Sequence, residues 1–254
     1  MKSRFRYLNE RSGDLAHARL TGARRAVIKC EVTDAQCKAP QGRGDYCDSR
    51  NARLTQRADV LSIGADVERL HTAATVLIVP GLRDHVAEHW QTLLQARLSK
   101  VRAVPPLQVN GLDCNARVEA IQRELEQIDG DVLLVAHSAG VLMVAHWAAR
   151  YDRPIKGALL AAPPDLQAQW PAAYPSPDTL RANGWAPLPI TTLPFPSIVA
   201  ASSDDHLASL SAVAAMAEGW GSELLQLGNV GHLNPASGFG PWPLAETLIH
   251  QLDQ

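Results

Sequence analysis

The amino-acid sequence predicts an α/β fold, namely a mostly parallel β-sheet with helices on both faces. Short apolar segments typical of buried strands alternate with segments of helical spacing throughout residues 74–254. The clearest unit spans 131–140, where the continuous apolar run 132–135 leads into a tight turn and then into an apolar helical stretch at 141–150. Because strand, turn and helix follow one another repeatedly, neighbouring strands are expected to run parallel.

The remaining elements follow from the same patterns taken along the chain. A β-branched apolar run begins at Thr75 and is ended by Pro80 and Gly81. Residues 163–196 hold nine of the chain's 17 prolines and form a long irregular excursion of the kind that often covers a functional site. The predicted strands are 75–79, 132–135, 155–162, 197–201 and 223–227, with an extended piece at 101–109, and the predicted helices are 87–100, 116–128, 141–150, 207–220 and 244–252.

Charge and periodicity change near residue 73 and divide the chain into two parts. Residues 1–75 contain 14 Lys and Arg against 9 Asp and Glu, whereas the whole chain of 254 residues has a net charge of −2. Apolar periodicity is weak before this point. We therefore expect 1–73 to be an N-terminal extension without fixed structure and 74–254 to be the folded domain.

The composition limits which cellular compartment and which classes of binding partner are expected. No apolar run reaches the roughly 18 residues that a transmembrane helix needs, and the N-terminus lacks a signal-peptide apolar region. The four cysteines form no Cys-x-x-Cys pair, which favours reduced thiols, and no dinucleotide or P-loop motif occurs. The sequence predicts a cytoplasmic protein with a small-molecule substrate and without a cofactor, a nucleic-acid partner or a membrane contact.

Ser138 lies at the tip of the tight turn, between Ala136-His137 and Ala139-Gly140. The nucleophile elbow typically has the pattern small residue-x-Ser-x-Gly, placed between a strand and a helix. The outer two residues must be small because they approach each other across the turn. The N-terminus of the following helix favours a developing oxyanion. A buried strand followed by a serine helix cap is the plainer alternative.

Two later loops supply the partners that a serine nucleophile needs. Asp204 and Asp205 follow the strand predicted at 197–201, and His232 lies in the loop after the last predicted strand. A serine hydroxyl is a weak nucleophile until an imidazole takes its proton, and an acid fixes the tautomer of that imidazole. In parallel sheets active residues lie beyond the carboxyl ends of strands, and the order serine, acid, histidine is that of α/β-hydrolases.

Several short stretches of the folded domain together match one known family pattern. They are 79–82 (VPGL), 89–90 (HW), 136–140 (AHSAG), 194–197 (PFPS), 201–205 (ASSDD), 231–234 (GHLN) and 237–243 (SGFGPWP). With them, residues 74–254 resemble the α/β-hydrolases of the YdeN / retinoblastoma-binding-protein-like serine hydrolase family. The resemblance implies Ser138 as nucleophile, Asp205 as acid and His232 as base, with esterase-like or aminopeptidase-like hydrolysis. One departure is His206, where the family usually has proline.

The two adjacent aspartates are expected to have different roles. Side chains alternate in direction along extended backbone, so only one carboxylate should face the imidazole. With Asp205 as the acid, Asp204 is predicted to face away and to cap the helix that starts near Leu207.

The oxyanion of an acyl-transfer intermediate requires two N–H donors. Ala139, directly after the nucleophile, is the first candidate. The loop after the first strand should provide the second, and Leu82 is the candidate because Gly81 lets the backbone approach closely.

The substrate pocket is expected to draw on the residue beside the nucleophile and on the aromatic side chains of the excursion. His137 is a candidate for the pocket wall, with filling of the elbow as the plainer alternative. Trp170 and Trp185, together with Tyr174, would form an apolar partial cover. The alternative is that these aromatic residues only pack the excursion onto the core.

Two other functional classes compete with the serine hydrolase. His85, Glu88 and His89 match H-x-x-E-H, a zinc-peptidase pattern in which both histidines bind the metal and the glutamate is the general base. The pattern fixes only three positions and lies at a predicted loop-to-helix junction, so we expect no metal site. The second class is a non-catalytic interaction protein on a hydrolase scaffold, because a fold alone never proves activity.

Overall fold

The computed structural model describes residues 69–254, and six strands of this part form one fully parallel sheet. These strands are β1 Thr75–Val79, β2 Val101–Ala103, β3 Val132–His137, β4 Gly157–Ala161, β5 Ser197–Ala201 and β6 Glu223–Gln226. Their spatial order is β2-β1-β3-β4-β5-β6. The predicted α/β fold with a parallel sheet and helices on both faces is confirmed.

Six α-helices connect or follow these strands in the described part of the chain. The first begins at Trp90 rather than at the predicted residue 87, because His89 caps it through its side chain. The extended piece predicted at 101–109 is a strand over its first three residues only. The helices are α1 Trp90–Arg97, α2 Cys114–Leu125, α3 Ala139–Ala148, α4 Pro177–Leu180, α5 Leu210–Trp220 and α6 Pro243–Leu252, with a π-helical turn at Arg181–Trp185 and a 3₁₀ turn at Pro235–Ser237.

The sheet separates two hydrophobic cores. Leu134 and Ala136 of β3 face the core that contains α2, α3 and α5, while Leu133 and Val135 face the core that contains α1 and α6. Both faces of β3 are therefore covered, and all six of its residues are buried. This double burial explains why β3 is a continuous apolar run instead of an alternating one.

The strand order places a topological switch point between β1 and β3. From β1 the chain first moves outward to β2 and then returns to add β3 on the other side of β1. The loops after β1 and β3 consequently diverge and leave a crevice at the carboxyl ends of the two strands. Ligands of open parallel sheets bind at such a crevice.

The described chain enters the sheet along its outer edge. Leu70 donates its N–H to the carbonyl of Arg97 at 2.8 Å and accepts the N–H of Ser99 at 3.0 Å. The predicted N-terminal extension, 1–73, lies almost entirely outside the described residues, which begin at 69. Within residues 69–254, no helix is both long enough and apolar enough to cross a lipid bilayer.

Candidate active site

Ser138 occupies a strained turn between β3 and α3. Its backbone has φ 56° and ψ −130°, a sparsely populated region that costs a non-glycine residue about 1–3 kcal/mol. The Ser138 N–H donates to the carbonyl of Ala161 at 2.9 Å and so continues the ladder between β3 and β4. The strained backbone and this bond present the hydroxyl at the crevice, as expected of a nucleophile elbow.

Gly140 permits the close approach on which the elbow depends. A Cβ at this position would lie 2.4 Å from the carbonyl oxygen of Val79 and 2.8 Å from that of Pro80. Any side chain would therefore push the start of α3 away from the end of β1. On the other side of the turn, the fully buried Ala136 is accommodated where the elbow pattern usually has glycine.

A continuous chain of hydrogen bonds joins three of the predicted residues. The hydroxyl of Ser138 lies 2.8 Å from Nε2 of His232. Nδ1 of the same imidazole lies 2.8 Å from Oδ2 of Asp205. Because a carboxylate can only accept, Nδ1 carries the proton and Nε2 is left as the acceptor for the serine hydroxyl. The side chains of His232 and Asp205 are each only 2% exposed, so water competes little for these bonds.

The two adjacent aspartates point in different directions, as expected, but Asp204 does not cap a helix. Ser209 caps α5 instead, with its hydroxyl accepting the N–H of Ala212. Oδ1 of Asp204 accepts the hydroxyl of Ser202 at 2.7 Å and the N–H of Gly231 at 2.8 Å. The helix-cap prediction was wrong, because Asp204 connects the acid loop to the loop that carries the histidine.

This connection lowers the pKa of the Asp204 carboxyl. The largest cause is the hydrogen bond from the Ser202 hydroxyl, followed by the bond from the backbone N–H of Gly231. Donors that point at the ionised carboxylate stabilise it relative to the protonated form.

The catalytic-histidine candidate is fixed by its backbone as well as by its ring. The N–H of His232 donates to the hydroxyl of Ser237 at 3.0 Å, and Nε2–H of His137 donates to the His232 carbonyl at 2.9 Å. Burial is the main reason why the pKa of His137 lies well below its usual range, so this ring is neutral. His137 lines the cavity beside Ser138, but its Nε2–H group is directed at the backbone carbonyl of His232.

The loop after β1 brings the second oxyanion-hole candidate to Ser138. Gly81 packs so closely that a Cβ there would lie 3.1 Å from the Ser138 Cβ. Leu82 and Ala139 both line the same cavity as Ser138. Ala139 is the first residue of α3, so its N–H has no acceptor within the helix.

Arg117, which the sequence analysis did not identify, holds this loop in place. It is 5% exposed, and Nη1 forms an ion pair with Oδ1 of Asp84 at 3.0 Å while Nε donates to the carbonyl of Gly111 at 2.5 Å. Asp84 itself has φ 52°. Arg117 is three residues after Cys114 and four before Ile121, on the buried face of α2. A charged residue on a predicted apolar helix face was the available signal.

A cavity of about 140 Å³ opens beside the serine hydroxyl. Trp170, predicted to bind the substrate, lines this cavity, and its indole N–H donates to the carbonyl of Asp165 at 2.9 Å. The walls are formed by loops after four strands and by the excursion. Its apolar lining includes Leu82, Val86, Ala139, Pro164, Trp170, Tyr174, Pro175, Leu207, Pro235 and Ala236.

Trp185 does not line this cavity, and its prediction as a substrate-binding residue was wrong. The side chain is fully buried, and its indole N–H donates to the carbonyl of Leu112 at 2.7 Å. The Trp185 carbonyl accepts Nε2–H of His146 in α3 at 3.1 Å. Trp185 thus anchors the excursion to the core, which was the alternative offered for these aromatic residues.

Tyr174 is the part of the excursion that reaches the hydrogen-bonded site. Its hydroxyl lies 3.1 Å from Nε2 of His206 and accepts Nδ2–H of Asn234 at 3.4 Å. The guanidinium of Arg83 lies over the ring, 5.1 Å from its centre. Contacts with the loops after β1, β5 and β6 therefore hold this tyrosine at the cavity. The phenol thus forms a hydrogen bond with His206, the residue at which the sequence departs from the family pattern.

The structure does not bring His85, Glu88 and His89 together as a metal site. His85 and Glu88 are exposed, whereas His89 is buried at the cavity. Nδ1 of His89 accepts the N–H of Gln91 at 3.2 Å as the helix cap. Burial, followed by the neighbouring His232 and His85, lowers the pKa of His89 to about 4. Among the described residues, no group of three or more His, Cys, Asp and Glu side chains is placed to hold a metal ion.

The sequence model of the family described as serine hydrolase matches residues 76–251. No curated protein sequence matches the chain.

Among solved structures, a YdeN-like hydrolase from Pectobacterium atrosepticum is 29% identical, with a TM-score of 0.61 over 71% of this chain and 90% of that one. The ydeN gene product of B. subtilis is 17% identical, with a TM-score of 0.56 over 70% of this chain and 98% of that one. Est1E from Butyrivibrio proteoclasticus, solved with ferulic acid, is 13% identical, with a TM-score of 0.54 over 72% and 87%. The predicted resemblance to YdeN-like serine hydrolases is confirmed, and the latter two similarities concern the fold alone.

Proposed function

The chain belongs to the serine hydrolase family, and from this premise we propose that it cleaves a small ester or amide by acyl transfer through Ser138, His232 and Asp205. The observation that carries the proposal is the unbroken hydrogen-bonded chain from the serine hydroxyl through the imidazole to the carboxylate, with both bonds at 2.8 Å. The substrate reaches the Ser138 hydroxyl through the cavity beside it.

The first half of the reaction forms an acyl-enzyme. The Ser138 oxygen attacks the substrate carbonyl carbon while Nε2 of His232 takes the hydroxyl proton. The carbonyl π electrons move to oxygen, and the N–H groups of Leu82 and Ala139 stabilise that oxyanion. The intermediate then collapses, the bond to the leaving group breaks, and His232 returns the proton to the departing atom.

The second half repeats these steps with water as the nucleophile. His232 takes a proton from water as the water oxygen attacks the acyl carbon. It gives that proton to Ser138 as the ester bond to the enzyme breaks, which releases the acid. Asp205 remains ionised throughout and stabilises the imidazolium that forms twice in each cycle.

Labelling by a fluorophosphonate probe, followed by hydrolysis assays on simple esters, tests the proposal. Ser138→Ala should abolish labelling and lower turnover by roughly 10⁴–10⁶-fold, which is about 5–8 kcal/mol of transition-state stabilisation. Ser203→Ala is the matched control, because Ser203 is exposed on the acid loop. It should label like the wild type.

Treatment with a chelator separates the proposal from the zinc alternative. Activity should persist without added metal, because no step above uses one. Activity that disappears with the chelator and survives Ser138→Ala would overturn the serine mechanism. A folded wild-type protein that neither labels nor hydrolyses any ester or amide would favour the non-catalytic class.

A further inference from the structure

Arg83 and Asp84 are the Arg and Asp side chains that line the cavity beside Ser138, and neither presents a buried, unpaired charge to a substrate group. The carboxylate of Asp84 is already paired with the buried Arg117. Arg83 is exposed, and its guanidinium is directed over the Tyr174 ring.

The two other histidines at the cavity are neutral near pH 7. Burial is the largest cause that lowers the pKa of both, to about 4 for His89 and well below the usual range for His137. Each also has a ring nitrogen committed to a backbone group, the Gln91 N–H and the His232 carbonyl respectively. The remaining lining is predominantly aliphatic, aromatic and proline side chains.

The cavity also limits the size of what it can hold. Its volume is about 140 Å³, and a dry apolar protein cavity of roughly 150 Å³ binds one benzene molecule. The acyl group stays bonded to Ser138 throughout the intermediate, whereas the leaving group departs. The space that adjoins the serine oxygen therefore has to accommodate the acyl group.

We infer that the substrate is an ester or amide whose acyl group is uncharged and apolar, with a bulk of about one phenyl ring or six carbons. This inference rests on the proposed function, because it concerns the same serine. It disfavours α-aminoacyl substrates, whose ammonium group would lose its hydration in the cavity without gaining a free carboxylate.

A matched pair of substrates tests the charge. Ethyl hexanoate and norleucine ethyl ester share the six-carbon acyl chain and the leaving group, and differ by the α-ammonium. With full-length protein at pH 6, where that ammonium stays protonated, and product detection by chromatography, kcat/KM for the uncharged ester should be higher by at least about tenfold. Equal or faster hydrolysis of the norleucine ester would overturn the inference.

A series of 4-nitrophenyl esters with a constant leaving group tests the size. The kcat/KM should rise from acetate to hexanoate, since each buried methylene contributes about 0.8 kcal/mol, or nearly fourfold, and should not rise further to dodecanoate. A continued rise to dodecanoate would contradict the size limit.

Val86 provides a variant that narrows the cavity from a half-buried loop position. Val86→Phe should lower the ratio of hexanoate to acetate hydrolysis by about tenfold or more. Val109→Phe, at a site that is 76% exposed and outside the lining, is the control and should leave the ratio unchanged. An unchanged ratio in Val86→Phe would show that this cavity does not hold the acyl group.

Failure of the inference can be distinguished from failure of the proposed function. Fluorophosphonate labelling of Ser138 reports a reactive serine whatever acyl group is preferred. Labelling together with preference for aminoacyl or long-chain esters would refute the substrate class alone, whereas loss of both labelling and hydrolysis would refute the mechanism.

Discussion

Exchange of Asp205 for asparagine isolates the electrostatic role of the buried carboxylate. Oδ2 accepts Nδ1–H of His232 at 2.8 Å, and Oδ1 accepts the N–H of Leu207 at 2.9 Å. In Asp205→Asn the amide oxygen can keep the bond to Leu207. The amide NH₂ then faces Nδ1 of His232 and can only donate. The imidazole is driven to the tautomer that is protonated at Nε2, which cannot take the proton of Ser138.

The expected loss follows from this tautomer change. An asparagine in place of the triad acid lowers turnover by about 10⁴-fold, which corresponds to about 5.4 kcal/mol at 1.36 kcal/mol per decade. The fold should survive because asparagine has the same shape, keeps the bond from the Leu207 N–H and donates its NH₂ to the unprotonated Nδ1 of His232. Steady-state kinetics on 4-nitrophenyl hexanoate and a circular-dichroism melt measure the two quantities separately.

Asp204→Asn is the matched control, one residue away. Its amide oxygen can still accept from the Ser202 hydroxyl and the Gly231 N–H, so only the charge that strengthens these bonds is lost. We expect a slightly lower melting temperature, because hydrogen bonds to a neutral oxygen are weaker than those to a carboxylate, and turnover within about tenfold of the wild type. Full activity in Asp205→Asn, or a 10⁴-fold loss confined to Asp204→Asn, would refute the assignment of the acid.

Three further outcomes are expected. Gly140→Ala should lower the melting temperature by several degrees and weaken probe labelling, because its Cβ would lie 2.4 Å from the Val79 carbonyl oxygen and overpacking costs about 1–3 kcal/mol; an unchanged melt would contradict this. The pKa of His89 falls from 6.5 to about 4 on folding. Between these two pH values the unfolded chain binds a proton that the folded chain does not, so the free energy of unfolding should decrease as the pH drops from 6.5 to 4. In urea-unfolding measurements, His89→Asn, which retains a capping oxygen, should show a smaller decrease. A chain that begins at Arg69 retains the edge contacts of Leu70 and should unfold cooperatively and label, which loss of cooperativity would disprove.

Sequence patterns predicted the elements that local physics determines. Both faces of β3 are buried, so its apolar run was recognisable, and Ser138 could be placed at its end. The loops with Asp205 and His232 could be identified because parallel strands place their carboxyl ends at one edge. Family resemblance selected Asp205 over Asp204, a distinction that the residues alone left open.

Contacts between distant segments could not be predicted in the same way. Trp170 and Trp185 are both aromatic residues of one proline-rich segment, yet one lines the cavity and the other is buried with its indole N–H bonded to the Leu112 carbonyl. Asp204 looked like a helix cap because its partner, Gly231, lies 27 positions later. Gln91 likewise has no local signal, since its side-chain amide donates to the carbonyl of Val79 in β1 and to that of Val135 in β3.

The bond from Ser138 to His232 has a consequence for how the protein is made. It joins residues 94 positions apart, and the histidine follows the last strand of the sheet. A growing chain released from the ribosome only as far as β5 holds the serine but lacks its base. In the proposed mechanism the hydrolytic chemistry is therefore withheld until β6 and the loop after it have been synthesised, and fragments that lack this loop have no base for the serine. Covalent capture of Ser138 by a probe would then count molecules in which both loops are assembled, and so would measure folding yield as well as catalysis.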